Sequence, residues 1–228
     1  MPSTAVTRRV LSSDLLALPG VYRPQADTGL LADELGRERL GAATEVLEIG
    51  TGTGALALSA AASGARVTAV DVSRRAVFSA RLNALRHGLR LQVLHGDFVA
   101  CTRDRQFDVV LANPPYVPSP SPTLPSSGSA RAWDAGPDGR AVIDRICENA
   151  PKLLRAGGVL LMVHSAMCGP ERTLKRLTQA GLPAQVTVKV SVPWGPVLHS
   201  RRAWLQKQGF SEAGEAHEGL VVIRAQAI

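Results

Sequence analysis

The stretch from Glu45 to Ala62 constrains this chain most. Glu45-Val46-Leu47-Glu48-Ile49 is a short, mostly apolar strand, Gly50-Thr51-Gly52-Thr53-Gly54 follows without a spacer, and an Ala/Leu helix over Ala55–Ala62 starts directly after it. Strand, glycine loop and helix in this order form a ligand-binding turn of an α/β protein. Glycines are needed there because the backbone must turn tightly and let a ligand approach with no Cβ in the way. Gly50, Gly52 and Ala55 also satisfy the Gly-x-Gly-x-x-Gly/Ala dinucleotide fingerprint, so the loop by itself does not name its ligand. Glu48, two residues before the first glycine, discriminates better: a carboxylate at the strand end repels a pyrophosphate and attracts an ammonium group.

The next strand tips also carry polar residues. Arg66–Val70 reads as a second strand ending at Asp71, where an acid can accept both hydroxyls of a ribose, each bond worth about 1.5–3 kcal/mol. Ser73 is placed to cap a helix on which Phe78, Leu82 and Leu85 recur at helical spacing, with Gly88 just past its end. Leu89, Leu91 and Val93 alternate as in a half-exposed edge strand, which leads to His95-Gly96-Asp97-Phe98; His95, without a cluster of metal-binding types around it, reads as structural. A fourth, buried-type strand over Phe107–Ala112 stops at Asn113-Pro114-Pro115-Tyr116. Each proline holds the residue before it extended, so this tip projects rigidly beyond the carboxyl end of the sheet, where ligands of open α/β sheets bind. A planar NH2 group suits it: the Asn113 side-chain oxygen and the Pro114 carbonyl accept one N–H each, and Tyr116 offers a flat face to the conjugated plane behind the nitrogen.

Asn113-Pro114-Pro115-Tyr116 closing a strand resembles motif IV of S-adenosylmethionine (SAM)-dependent methyltransferases that act on amide or exocyclic amino nitrogens. Two further stretches resemble the PrmC/HemK family of glutamine methyltransferases, in particular its short branch without a separate N-terminal domain. Val21-Tyr22-Arg23-Pro24-Gln25-Ala26-Asp27-Thr28 is similar to the family's Val-Tyr-x-Pro-x-Glu-Asp-Thr, with Ala26 in place of Glu. Arg131–Arg145 resembles Ala-Trp-x-Gly-Gly-x-x-Gly-x-x-x-x-Asp-Arg, with Ala135 where the family has its first glycine. The resemblance runs from Val21 to about Arg145 and implies SAM as cofactor, with S-adenosyl-L-homocysteine as product. It implies cofactor contacts from Thr28, Glu48, Gly50, Thr51, Gly52, Gly54, Asp71, Val72, Asp97, Phe98 and Asn113, with Asp97 and Phe98 meeting the adenine. It gives the catalytic roles to Asn113, Pro114 and Tyr116. The implied substrate is the glutamine of the Gly-Gly-Gln loop of a class-1 peptide-chain release factor. The alternative is an RNA or DNA exocyclic amine, adenine N6 or guanine N2, since these planar amines are served by the same tip. Eukaryotic members of the family work with a small activating partner, and the sequence leaves open whether one is needed here.

The remainder fits one α/β domain. Residues 1–20 read as an arm or a short helix over Ser13–Leu18, and Asp27 or Thr28 is expected to cap a helix reaching about Leu40. Residues 1–40 are thus expected to cover the SAM site, and 41–228 to form the methyltransferase domain. The Pro/Ser/Gly-rich loop 117–139 is expected to wall the substrate side and to order when substrate binds. Val142, Ile143, Ile146, Ala150 and Leu153 share a helix face that Gly157-Gly158 should end, and Val159–Val163 is the fifth strand. A helix over Pro170–Ala180 follows. Val186, Val188, Val190 and Val192 then alternate as on an edge strand, whereas Leu220-Val221-Val222-Ile223 is continuously apolar as a central strand is. Between them lies a short helix over Arg201–Gln208. These features give the Rossmann-like class I methyltransferase topology: a seven-stranded, mostly parallel sheet of order 3-2-1-4-5-7-6 with strand 7 antiparallel.

At 228 residues and 45% apolar the chain is long enough to bury a full core. Cys101, Cys147 and Cys168, odd in number and widely spaced, suit reduced thiols in the cytoplasm. No zinc pattern is present, and Arg8-Arg9 precede too short an apolar run for a signal peptide. The protein is therefore expected to be soluble and cytoplasmic, with no membrane and no metal involved. The net charge of +7 suits an acidic partner, including nucleic acid, without choosing one.

Overall fold

A computed structural model describes residues 15–228. Seven strands form one sheet: β1 (Glu45–Ile49), β2 (Arg66–Asp71), β3 (Leu91–His95), β4 (Phe107–Ala112), β5 (Leu154–Ser165), β6 (Ala184–Pro193) and β7 (His217–Gln226), in the order β3-β2-β1-β4-β5-β7-β6. The first five pair in parallel, and β7 lies antiparallel between β5 and β6, the inner position expected from its continuously apolar run. Helices α1 (Ala26–Leu35), α2 (Ala55–Ala62) and α3 (Arg74–Arg86) pack on one face. The short α4 (Phe98–Cys101), α5 (Ala141–Leu153) and α6 (Pro170–Gln179) pack on the other.

Alternation along each strand divides the core in two. Val46, Val109, Leu111, Leu161 and Val222 meet Leu31, Leu56 and Val77 on the first face. Leu47, Val110, Leu160, Met162 and Ile223 meet Ile143, Ile146 and Leu177 on the second. Buried on both sides, these strands hold the sheet as a rigid floor for whatever their carboxyl ends carry. The antiparallel course of β7 has a positional consequence: Leu220 pairs with Ser165 at the end of β5, so the first residues of β7 lie along the same edge as the tips of β1, β2 and β4.

Several boundaries differ from the sequence reading. Helix α1 starts at Ala26 with Gln25 as its uncapped N-cap residue, and it ends at Leu35; Asp27 and Thr28 lie inside its first turn. Helix α5 stops at Leu153, and β5 begins at Leu154 rather than Val159, so Gly157 and Gly158 belong to the strand. A register shift between Phe107 and Val109 accommodates this, and Gly158 is required there because a Cβ would come within 3.0 Å of the Phe107 carbonyl. Two short helices, α7 (Pro196–Ser200) and α8 (Arg202–Lys207), stand where one was expected.

The α3 face is turned. Phe78 and Leu85 are exposed, and the buried face is Ala76, Val77, Ser79, Ala80, Asn83 and Ala84. Residues 15–18, which are not helical, lie across it: Leu16 exchanges two 2.9 Å bonds with the Asn83 side chain, and the Leu18 N–H reaches Ser79 Oγ at 3.2 Å. The rest of the expected arm, residues 1–14 with Arg8 and Arg9, lies outside the described residues. Among the described residues no helix is long and apolar enough to cross a membrane, and no group of three or more His, Cys, Asp or Glu is arranged to hold a metal ion.

Candidate active site

A cavity of about 730 Å³ opens at the carboxyl edge of β1, β2 and β4, within the size range of cofactor sites. Its first half is built on the glycine loop. Gly50, Gly52 and Gly54 all have positive φ, and a Cβ at Gly50 would meet no protein atom within 4 Å, which leaves that approach to a ligand. Four of the five loop N–H groups are already used: Gly50 and Thr51 donate to Val70 O, Gly52 donates to Asp71 Oδ2 at 3.0 Å, and Gly54 donates to Thr51 O. Glu48 Oε2 takes the Ala57 N–H at 3.1 Å and the Thr51 hydroxyl. A dinucleotide phosphate sits against helix N-terminal donors of this kind, and here the Glu48 carboxylate already takes the Ala57 N–H and would repel it, which disfavours the dinucleotide mode.

Glu48 is 3% exposed and pairs with no cation among the described residues. Burial pushes its carboxyl up to about 8, against the lowering by Thr51 and Ala57, with Asp71 adding to the rise. A ligand ammonium would supply the missing positive charge. Asp71 is also raised by burial; it holds the Gly52 N–H on one oxygen and the Ser73 N–H on the other, and it faces the cavity beside Val72. An ammonium acceptor, a ribose acceptor and an open glycine approach together fit SAM.

The second half is organised by Asp27, 3% exposed on α1. Its Oδ2 accepts from the Tyr22 hydroxyl at 2.7 Å and the Tyr116 hydroxyl at 3.0 Å. Its Oδ1 accepts from the Thr28 N–H at 2.6 Å and the Thr28 hydroxyl at 3.1 Å. Thr28 Oγ1 in turn accepts from Asn113 Nδ2 at 3.3 Å. The Asn-Pro-Pro-Tyr tip is thus held at both ends from α1, and Asn113, Pro114, Pro115 and Tyr116 all line the cavity. Burial and the Asp27 charge raise both tyrosines well above the usual phenol range, so they stay neutral donors. Behind the tip, Gly139 (φ +70°) packs against the Tyr116 carbonyl so closely that a Cβ would come within 2.5 Å of it.

The loop 117–139 folds back on itself. Val117 and Trp133–Ala135 exchange backbone bonds of 2.8 and 3.1 Å, Ser119 N–H reaches Gly136 O, and Arg201, between α7 and α8, binds Pro118 O and Asp134. The base of this loop is therefore ordered by the protein itself, and Arg131 and Trp133 stand in the cavity wall.

Of the eleven residues expected at the cofactor, Thr28, Glu48, Gly50, Thr51, Gly52, Asp71, Val72 and Asn113 line the cavity. Gly54, Asp97 and Phe98 do not. A Cβ at Gly54 would come within 3.1 Å of Ala80, so this glycine serves helix packing. Asp97 caps α4 and pairs with Arg145, which holds its carboxyl below the usual range; Phe98 is 6% exposed in the core. Cavity residues to which the sequence reading gave no contact with ligand are Tyr22, Asp27, expected only as a helix cap, Glu218 and the wall from Val192 to Leu198. Tyr22 and Asp27 stood in register with the family pattern; nothing in the sequence marked Glu218.

An acidic glycine-loop site on this sheet order, with its last strand reversed, is a class I methyltransferase. The chain belongs to the protein N5-glutamine methyltransferase family. It is 32% identical over 181 residues to a putative protein N5-glutamine methyltransferase of Methanocaldococcus jannaschii, covering 79% of this chain and 90% of that one. It is 38% identical over 162 residues to the release factor glutamine methyltransferase of Moorella thermoacetica and 32% over 182 residues to that of Geobacter sulfurreducens, covering 67% and 77% of this chain. The chain spans only 57% and 63% of the length of those two bacterial relatives. The methyltransferase small domain family matches residues 13–122.

Solved structures agree on the fold. A chain of the E. cuniculi Mtq2–Trm112 complex, described as responsible for methylation of the translation termination factor eRF1, superposes with a TM-score of 0.62 at 24% identity over 92% of this chain and 99% of that one. A methyltransferase from Pyrococcus furiosus gives 0.64 at 17% identity over 100% of this chain and 95% of that one.

Proposed function

We propose that this chain methylates the side-chain amide nitrogen of a glutamine in a class-1 peptide-chain release factor, using SAM and leaving S-adenosyl-L-homocysteine. The observation that carries this reading is the Asn113–Thr28 hydrogen bond: with the Asn113 NH2 committed to Thr28, its Oδ1 is the atom left for a substrate N–H. The names of the relatives, glutamine methyltransferases all, support the substrate.

Bound SAM supplies an electrophilic methyl group on a sulfonium. The protein's task is the nucleophile. An amide nitrogen is poorly nucleophilic because its lone pair is delocalised into the carbonyl. Asn113 Oδ1 and the Pro114 carbonyl take its two N–H groups, fix its direction and stabilise the positive charge that develops on it. Tyr116, pinned through its hydroxyl to Asp27, closes the back of the amide plane. No strong base is required, since the methylated nitrogen loses its proton readily. Glu48 and Asp71 would hold the ammonium and ribose of SAM, and the segment from Gly20 to Thr28 lines the same cavity.

The test is label transfer from methyl-labelled SAM to a release factor, to the same factor with its loop glutamine replaced, and to total RNA. Label on the intact factor alone is expected, and Asn113→Ala should reduce it by about 10²–10³, the usual cost of deleting one preorganised polar contact to developing charge. Label on RNA alone would move the activity to an exocyclic amine.

A further inference from the structure

The wall beyond Asn113 carries one carboxyl that this reaction does not use. Glu218 sits at the start of β7, opposite Val192 on β6, and the reversal of β7 brings it to the ligand edge of the sheet. It lines the cavity, yet its Oε2 is buried with no hydrogen-bond partner, and among the described residues no cation pairs with it. Around it the wall is apolar: Val192, Pro193, Pro196, Val197 and Leu198. A buried carboxylate oxygen without a partner is unfavourable unless a donor arrives from outside the chain.

We propose that Glu218 is a substrate-binding residue whose carboxylate, turning its unpartnered oxygen into the cavity, accepts a backbone N–H of the polypeptide beside the glutamine to be methylated. This rests on the glutamine reading above. The reactive nitrogen is not its partner, because both N–H groups there go to Asn113 and Pro114. Nor does a protonated Glu218 serve the glutamine carbonyl, since a donor there would strengthen the delocalisation that weakens the nucleophile. A backbone N–H remains, and a wall of proline, valine and leucine suits a peptide segment with small side chains.

The groups facing Glu218 are Ser165 on β5, Asp27 on α1, Tyr22, Tyr116 and Cys168. Burial raises its carboxyl to about 7; a hydrogen bond from the Ser165 side chain works against this, leaving Oε2 as the unpartnered oxygen, and the Asp27 charge adds to it. Tyr22, Tyr116 and Cys168 are all pushed up and do not titrate near neutrality. Glu48, raised to about 8, lies in the cofactor half, and saturating SAM removes it from the comparison.

The experiment is steady-state kinetics of the wild type and Glu218→Gln with a Gly-Gly-Gln peptide at saturating SAM, from about pH 6 to 8.5. For the wild type, the peptide KM should fall about tenfold as pH rises through about 7, with kcat within about twofold. Glu218→Gln should show a high, pH-independent KM and unchanged SAM affinity by calorimetry. A peptide N-methylated on the backbone beside the glutamine should raise KM for the wild type and leave the variant unmoved, a coupling that loss of packing alone does not produce. That peptide tests the wild type directly should the variant not fold. Wild-type KM and pH profile in Glu218→Gln, no effect of the N-methyl peptide on the wild type, or a loss confined to kcat or to SAM affinity would each overturn the inference. Absence of methylation of any glutamine peptide by the wild type would instead overturn the glutamine reading, and this inference with it.

Discussion

Asn113 Nδ2 donates to Thr28 Oγ1 at 3.3 Å, and through this bond helix α1 decides which way the amide at the end of β4 faces. A free asparagine amide can present either end to a ligand. Here Thr28 is itself fixed, because its hydroxyl and N–H both donate to Asp27, so its Oγ1 lone pair is directed at Asn113. The acceptor oxygen therefore faces the cavity before any substrate arrives.

Thr28→Val keeps the shape of the side chain and removes that acceptor. The Asn113 amide is then free to turn, and kcat should fall about 5- to 30-fold, the equivalent of about 1–2 kcal/mol, while Thr28→Ser stays near wild type. Single-turnover methylation separates this from substrate binding. Full kcat in the valine variant would mean that the β4 tip needs no partner on α1.

How much of this site the sequence disclosed follows from which forces act locally. Glu48 and Asp71 fall in the last two residues of their strands and Asn113 directly follows its own, and short-range apolar patterns place strand ends well. The placement of the last two strands was legible from pattern as well: β6 alternates and β7 does not. Phe78, Leu82 and Leu85 misled because periodicity reports which face is apolar, whereas residues 15–18 bury the opposite face of α3 through the Ser79 and Asn83 side chains. Asp97 is likewise drawn away by Arg145, 48 residues on, a pairing no local pattern encodes. Glu218 reaches the cavity only because β7 extends back past Leu220 to His217 along β6.

Asp27 ties four donors together on two oxygens. Asn in its place has one acceptor oxygen and turns an NH2 group toward either the two phenols or Thr28, leaving buried donors unpaired. Asp27→Asn should therefore cost about 3 kcal/mol and lower Tm by about 6–12 °C for a chain of this size. Calorimetric unfolding reads this directly, and a Tm within about 1 °C of wild type would show that the Asp27 bonds contribute little net stability.

Glu48 should make cofactor binding depend on pH with a definite sign. Its folded-state carboxyl is raised from 4.5 to about 8, so the ligand-free protein holds the proton more tightly than the unfolded chain. The ligand-free protein accordingly loses stability as pH rises from about 5 through about 8. An ammonium ligand needs the carboxylate, so below about 8 binding must expel a proton, and affinity should weaken by up to about tenfold for each unit of acidification. The α-ammonium of SAM titrates in the region usual for α-amino groups, about 7.7–8.0, so affinity should also fall above pH 8. The expected profile is a maximum near pH 8. Calorimetry in two buffers of different ionisation heat should register nearly one proton released per SAM at pH 6.5. Glu48→Gln should bind more weakly at pH 8, release no proton, and lose the acidic limb while keeping the alkaline one. An affinity for SAM that is level from pH 6 to 8 in the wild type would mean that the ammonium is held elsewhere than at the tip of β1.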